Sequence, residues 1–218
     1  WIIISRTDIH LSEAQNRAIH FKDGPALVIA GPGSGKTTVI VNRVYNLIIK
    51  HNIKPSSILV ITFTKAAAVS MKERFMSLEG SLNVPVTFGT FHAVFFTILR
   101  HAYNYSVNSI ITRDLQYNFI RDKLISFELE YSDENETVNS ILSQISKVKN
   151  DCLNIDEYIS TACPDKTFRI IYKEYGKMLI SRRLIDYDDM VVLCNELLTQ
   201  RADYKAAWQD KYKYILID

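Results

Sequence analysis

Ala26-Leu27-Val28-Ile29-Ala30-Gly31-Pro32-Gly33-Ser34-Gly35-Lys36-Thr37 runs five apolar residues into three alternate glycines, a lysine and a threonine. The apolar run predicts a strand buried on both faces, and the glycines predict a tight turn out of it. Ala30–Thr37 follows the pattern G-x-x-x-x-G-K-(S/T), with Ala30 at the first glycine position. That pattern has a physical purpose. Gly31, Gly33, Ser34 and Gly35 let the backbone curl until its N–H groups point at phosphate oxygens, and the helix opening through Lys36, Thr37 and Thr38 adds its positive end. Lys36 is the candidate to bridge the β- and γ-phosphates of a nucleotide, and the Thr37 hydroxyl is the candidate ligand for Mg²⁺.

Working outward, Thr37 to about Lys50 predicts a helix, because Ile40, Val41, Val44, Leu47 and Ile48 fall on one face. Upstream, Leu11–Gln15 opens a short helix with Ser12 as its N-cap. Downstream, Pro55-Ser56-Ser57 breaks the chain before a buried strand at Ile58–Phe63. A helix over Ala66–Leu78 and a strand over Val84–Phe88 follow. Near the end, Tyr187–Thr199 is helical, and Tyr214–Asp218 predicts a buried strand ending in a carboxylate, the form of a Walker B strand. Asp218 is thus a second candidate Mg²⁺ ligand. Apolar strands joined by helices predict a parallel sheet covered on both faces.

Between these α/β parts, residues 103–182 read as a helical insertion, leaving 1–102 and 183–218 as a discontinuous core. Val138, Ile141, Leu142, Ile145 and Val148 lie at helical spacing, as do Phe168, Ile171, Tyr172, Tyr175, Met178 and Leu179. The aromatic members read as core. Glu128–Glu136, with five acids in nine residues, reads as a solvated loop.

Composition narrows the class less. Hydrophobic residues are 47%, charged residues 23% and the formal charge +2, ordinary for a soluble globular chain and neutral on a nucleic-acid partner. Cys152, Cys163 and Cys194 are too far apart for a zinc cluster and read as buried thiols of a reducing cytoplasm. The apolar runs are far too short to span a membrane. The opening Trp1-Ile2-Ile3-Ile4 has no initiator Met and reads as part of a longer sequence.

Several segments, in order, make the chain resemble the UvrD/Rep/PcrA branch of superfamily 1 DNA helicases. Leu11-x-x-x-Gln15 resembles the family's Q motif, whose Gln reads the adenine edge. Thr62-Phe63-Thr64-Lys65-Ala66-Ala67-Ala68-Val69-Ser70-Met71 resembles T-F-T-N-(K/A)-A-A-x-E-M, departing at Lys65, where Asn is usual, and at Ser70, where Glu is usual. Gly89-Thr90-Phe91-His92 resembles the G-T-F-H segment, and Leu184–Met190 resembles the D-F-x-D-L stretch, with Asp186 an N-cap. The resemblance implies a RecA-like α/β domain with an inserted helical subdomain. It implies ATP and Mg²⁺ as cofactors, and single-stranded DNA and duplex junctions as partners. It implies movement in the 3′ to 5′ direction, with Phe63, Lys65, Thr90 and His92 facing the strand. Acting alone, this stretch is expected to bind nucleotide weakly without turning it over.

Two other classes remain open on the residues. A P-loop nucleotidase unrelated to DNA explains the loop, but a GTPase would carry N-K-x-D, which is absent, and a kinase gives no reason for Thr62–Met71 or Gly89–His92. A non-enzymatic DNA-binding module is the third, and a helicase-nuclease of the recombination type is a variant of the first. The RecA-like strand order also predicts a gap between Ala26–Ala30 and Tyr214–Asp218, one strand wide. The expectation is that the gap does not stay open. The two strands could close on each other, Trp1–Ser5 could enter, or a neighbouring molecule could add a strand and form a homodimer.

Overall fold

The computed structural model describes residues 11–78 and 84–218. Packing divides them into two compact units, one running to Phe91 and resuming over Lys205–Asp218, the other His92–Tyr204.

The first unit opens with α1 (Glu13–His20). Ser12 caps it by a reciprocal box, its hydroxyl accepting from the Gln15 amide N–H while the Gln15 side chain accepts from the Ser12 N–H. α2 (Lys36–Ile49) follows the phosphate loop. The strands β1 (Ile58–Thr62), β2 (Thr87–Thr90) and β3 (Tyr214–Ile217) form a parallel sheet in the order β2-β1-β3. Between β1 and β2 runs α3 (Lys65–Ser77), capped by Thr64. All five residues of β1 are buried, as a central strand requires. Val41, Val44 and Leu47 of α2 pack with Met71 and Phe75 of α3 against Ile58, Val60 and Leu216.

Three expectations for this unit need correction. Ala26–Ala30 forms no strand, and Leu27 and Ile29 are 87% and 91% exposed. A strand is defined by its partner's hydrogen bonds, and no partner lies beside this segment among the described residues. β3 is likewise not a buried strand. Among the described residues it pairs only with β1, and within it Ile215 and Ile217 are exposed while Leu216 is buried. Sheet coverage on both faces therefore holds at β1 but not at β3. The third strand occupies Thr87–Thr90 rather than Val84–Phe88, because its register is set by the ladder from Leu59↔Thr87 to Thr62↔Thr90.

Nor do Ala26–Ala30 and β3 close on each other. The segment's first four residues are exposed, so the cost expected for buried unpaired backbone groups does not arise there. Trp1–Ser5 lies outside the described residues.

The second unit is helical: α4 (Phe91–Tyr103), α5 (Arg113–Ser126), α6 (Glu134–Asn150), α7 (Asp165–Ser181) and α8 (Tyr187–Gln200), with α9 (Ala202–Lys211) leading back to β3. The two periodic sets are the core-facing stripes of α6 and α7. Val138, Ile141, Ile145 and Val148 meet Phe168, Ile171, Tyr175, Met178 and Leu179, joined by Ile120 and Leu124 of α5. The acidic run is only partly a loop. Asp133 caps α6 by accepting from the Glu136 N–H at 2.7 Å, and Glu134 and Glu136 lie in the helix's first turn, where carboxylates suit the dipole. Of the three thiols only Cys194 is buried, while Cys152 is exposed and Cys163 half-buried.

Candidate functional site

The phosphate loop is shaped by its glycines and held by its own side chains. Gly33 and Gly35 sit at φ 73° and 82°, the left-handed region where a Cβ is strained. The Ser34 N–H donates to the Gly31 carbonyl at 3.3 Å, and the Ser34 hydroxyl donates to it at 2.7 Å. Lys36 curls back over the loop, its ammonium donating to the carbonyls of Gly31 at 2.8 Å and Ala30 at 3.3 Å. Gly35 is the N-cap residue of α2 and offers no side-chain acceptor. The N–H groups of the first turn, which holds Lys36, Thr37 and Thr38, therefore have no side-chain cap, the feature that lets a helix N-terminus take an anion.

Gln15 reaches this loop from α1. Its Nε2 donates to the Ser34 carbonyl at 3.0 Å while its Oε1 accepts from the Ser12 N–H at 2.7 Å. A primary amide has two N–H donors and two acceptor lone pairs. Among the described residues one of each is therefore left over, the complement of adenine's N7 acceptor and N6 donor. The two elements fit closely, since a Cβ on Gly35 would stand 3.0 Å from Gln15 Nε2.

At the C-terminal ends of the strands, Thr62 and Thr90 are ladder partners. The Asp218 N–H donates to the Ile61 carbonyl at 2.9 Å, which places the exposed carboxylate of Asp218 at that same end of the sheet. In parallel α/β sheets this end is where ligands bind. Phe63, expected to end the buried strand, instead follows β1 and is 82% exposed. Lys65 begins α3 and is also exposed. Thr90 closes β2, half-buried. In the helical unit, His92 packs edge-on against the Tyr187 ring at 5.4 Å. Asp186 caps α8, accepting from the Asp189 N–H at 2.7 Å.

Sequence reasoning missed three contributors. Arg43 and Asn46 of α2 donate to carbonyls at the end of α1. Lys149 forms a buried ion pair with Asp186. All three span long stretches of chain, and no local pattern marks them.

The loop and sheet define a parallel α/β domain of the RecA-like P-loop class. A family model described as the UvrD/REP helicase N-terminal domain matches residues 11–218, and the chain belongs to that family. Among its relatives is a probable DNA helicase II homolog of Mycoplasma capricolum, 32% identical over 95% of this chain and 30% of the relative. The ATP-dependent DNA helicase Rep of Buchnera aphidicola is 34% identical over 95% of the chain and 31% of that protein. The ATP-dependent DNA helicase PcrA of Bacillus subtilis is 32% identical over 95% and 29%. The chain thus spans about a third of the length of the curated relatives it matches. No described helix is long and apolar enough to cross a membrane.

Proposed function

We propose that the chain is the ATP-binding part of an ATP-dependent DNA helicase that moves 3′ to 5′ along single-stranded DNA and acts at duplex junctions in the cytoplasm. In this reading residues 1–102 and 183–218 belong to its RecA-like core and 103–182 to the inserted helical subdomain, although by packing most of α4 and all of α8 group with the helical unit. The observation that carries the reading is the phosphate loop, with Lys36 at the mouth of α2 and a family of helicases around it.

The backbone N–H groups of Gly31, Gly33, Ser34, Gly35 and Thr38 hold the phosphates, that of Ser34 leaving the Gly31 carbonyl to do so. Lys36 meets the β- and γ-phosphates, for which its ammonium leaves the Gly31 and Ala30 carbonyls. Gln15 reads the adenine with its spare donor and acceptor. The residues present also fit Mg²⁺, since Thr37 offers a hydroxyl in the first turn of α2 and Asp218 an exposed carboxylate at a strand end. When bound, the ion neutralises charge developing on the phosphates. Phe63 stacks on a base, Lys65 meets a backbone phosphate, and Thr90 and His92 line the strand's path.

The free edge of β3 supports one further element of this reading. With Ile215 and Ile217 exposed and the far edge of β3 without a partner strand among the described residues, the chain forms a homodimer by strand addition. Light scattering after gel filtration tests it: a monomer of 25.1 kDa at every concentration overturns the dimer.

DNA-stimulated ATP hydrolysis by the full-length protein tests the main reading. Single-stranded oligothymidine should raise turnover, and Lys36→Ala should abolish it. Hydrolysis indifferent to DNA would favour a nucleotidase of another class.

A further inference from the structure

We propose that Arg43 is a positioning residue for the nucleotide base: by clamping the end of α1 to α2, it sets where Gln15 meets the phosphate loop. The inference rests on the reading of Gln15 as the adenine contact.

α1 has eight residues, and Ile19 is its buried one. Apolar packing at a single position does not fix a helix along its axis or about it. Polar contacts from α2 do. The Arg43 guanidinium donates through Nη1 to the carbonyls of Ala18, at 2.9 Å, and Phe21, and through Nη2 to Lys22 at 3.4 Å. It also lies 5.4 Å from the centre of the Phe21 ring. Asn46, one turn along the same face of α2, donates to the Ile19 carbonyl at 3.2 Å. The carbonyls left over at a helix C-terminus are thereby satisfied by a neighbouring helix. Beyond the clamp, Asp23 accepts from the Tyr214 hydroxyl at 2.7 Å, which ties the same loop to β3.

Gln15 stands one turn ahead of Ala18 and Ile19, on the same side of α1. A turn of helix is stiff, so a shift at the clamp becomes a shift at Gln15. Its contact with Ser34 at 3.0 Å and its clearance from Gly35 leave little slack. A planar guanidinium can serve several carbonyls in one plane, which an ammonium cannot copy.

The test is calorimetric titration of the 218-residue chain with Mg-ATP and with Mg-tripolyphosphate, which lacks the base. The quantity read is the ratio of the two affinities. Gln15→Ala should lower it about three- to tenfold, the worth of a hydrogen bond. Arg43→Gln should lower it as much while leaving tripolyphosphate binding unchanged, which also shows that the variant is folded. Arg43→Lys should fall between, and the Gln15→Ala, Arg43→Gln double variant should be no worse than Gln15→Ala. If Arg43→Gln fails to fold, Arg43→Lys decides on the same ratio. An Arg43 variant that keeps the ratio, or weakens both ligands equally, overturns the proposal. A Gln15→Ala ratio equal to wild type overturns the base reading itself, and shows it before Arg43 is touched.

Discussion

Lys149 Nζ lies 2.7 Å from Asp186 Oδ2, and the two side chains are 9% and 4% exposed. The same ammonium is 2.7 Å from Asp189 Oδ1, and Asp186 Oδ2 also accepts from the Tyr175 hydroxyl at 3.1 Å. Gln116 in turn donates to that hydroxyl at 2.7 Å. α5, α6, α7 and the start of α8 are thus joined by one buried polar network, in which each charge has a partner.

Removing one partner of such a pair leaves the other buried and uncompensated. Lys149→Met should destabilise the protein by about 3–5 kcal/mol. Lys173→Met breaks an exposed pair with Asp156 and should cost about 0–1 kcal/mol. Urea unfolding of both variants checks this, and equal losses would mean that burial of Lys149 does not matter.

The network also predicts alkaline sensitivity. Burial opposes the Lys149 charge, but attraction and hydrogen bonds to Asp186 and Asp189 outweigh it and its pKa is raised. Burial, then the Asp186 charge, raises the Tyr175 phenol well above its ordinary value. For both groups the folded chain keeps a proton that the unfolded chain releases above about pH 10. Their contribution is fully present below that pH and is lost as pH rises through it. Urea midpoints should fall more steeply above about pH 10 in wild type than in Tyr175→Phe. Parallel profiles would remove Tyr175 from the account.

Gly33 and Gly35 should respond differently to alanine. Both carry the left-handed penalty of about 1–2 kcal/mol. At Gly33 an added Cβ meets nothing within 4 Å, but at Gly35 it meets Gln15 Nε2 at 3.0 Å. Gly35→Ala should therefore lower Mg-ATP affinity further than Gly33→Ala. Repeating both substitutions in a Gln15→Ala background should close the difference, and a gap that persists would locate the effect elsewhere.

Phe63 should matter to DNA and not to folding. Because the ring is 82% exposed, Phe63→Ala should change stability by no more than about 0.5 kcal/mol. Its loss should weaken oligothymidine binding by about 1–3 kcal/mol, the worth of one stacked base. Lys65→Ala should instead flatten the dependence of affinity on salt, by about 0.7 in the logarithmic slope for one phosphate. Fluorescence anisotropy at several salt concentrations separates the two, and an unchanged slope would take Lys65 off the strand.

The loop at Ala30–Thr37, α2, and the stripes of α6 and α7 could be read from sequence because their causes are local. Glycine spacing dictates the curl of the loop, and a period of 3.6 residues dictates which side chains share a helix face. The same holds for the caps at Ser12 and Asp186, each bonded to a backbone N–H three residues on. Ala26–Ala30 has the composition of a buried strand and is not one, because a strand exists only through the ladder of its neighbour. β3 has the same apolar character, yet it pairs with β1 and leaves Ile215 and Ile217 exposed. The Arg43 clamp bridges 25 residues to Ala18, and the Lys149–Asp186 pair bridges 37. Nothing in either neighbourhood marks them, since an arginine or lysine on a helix is usually a solvated charge. Only the tertiary packing decided where these charges turn, by bringing to Arg43 the carbonyls at the end of α1 and to Lys149 the buried carboxylate of Asp186.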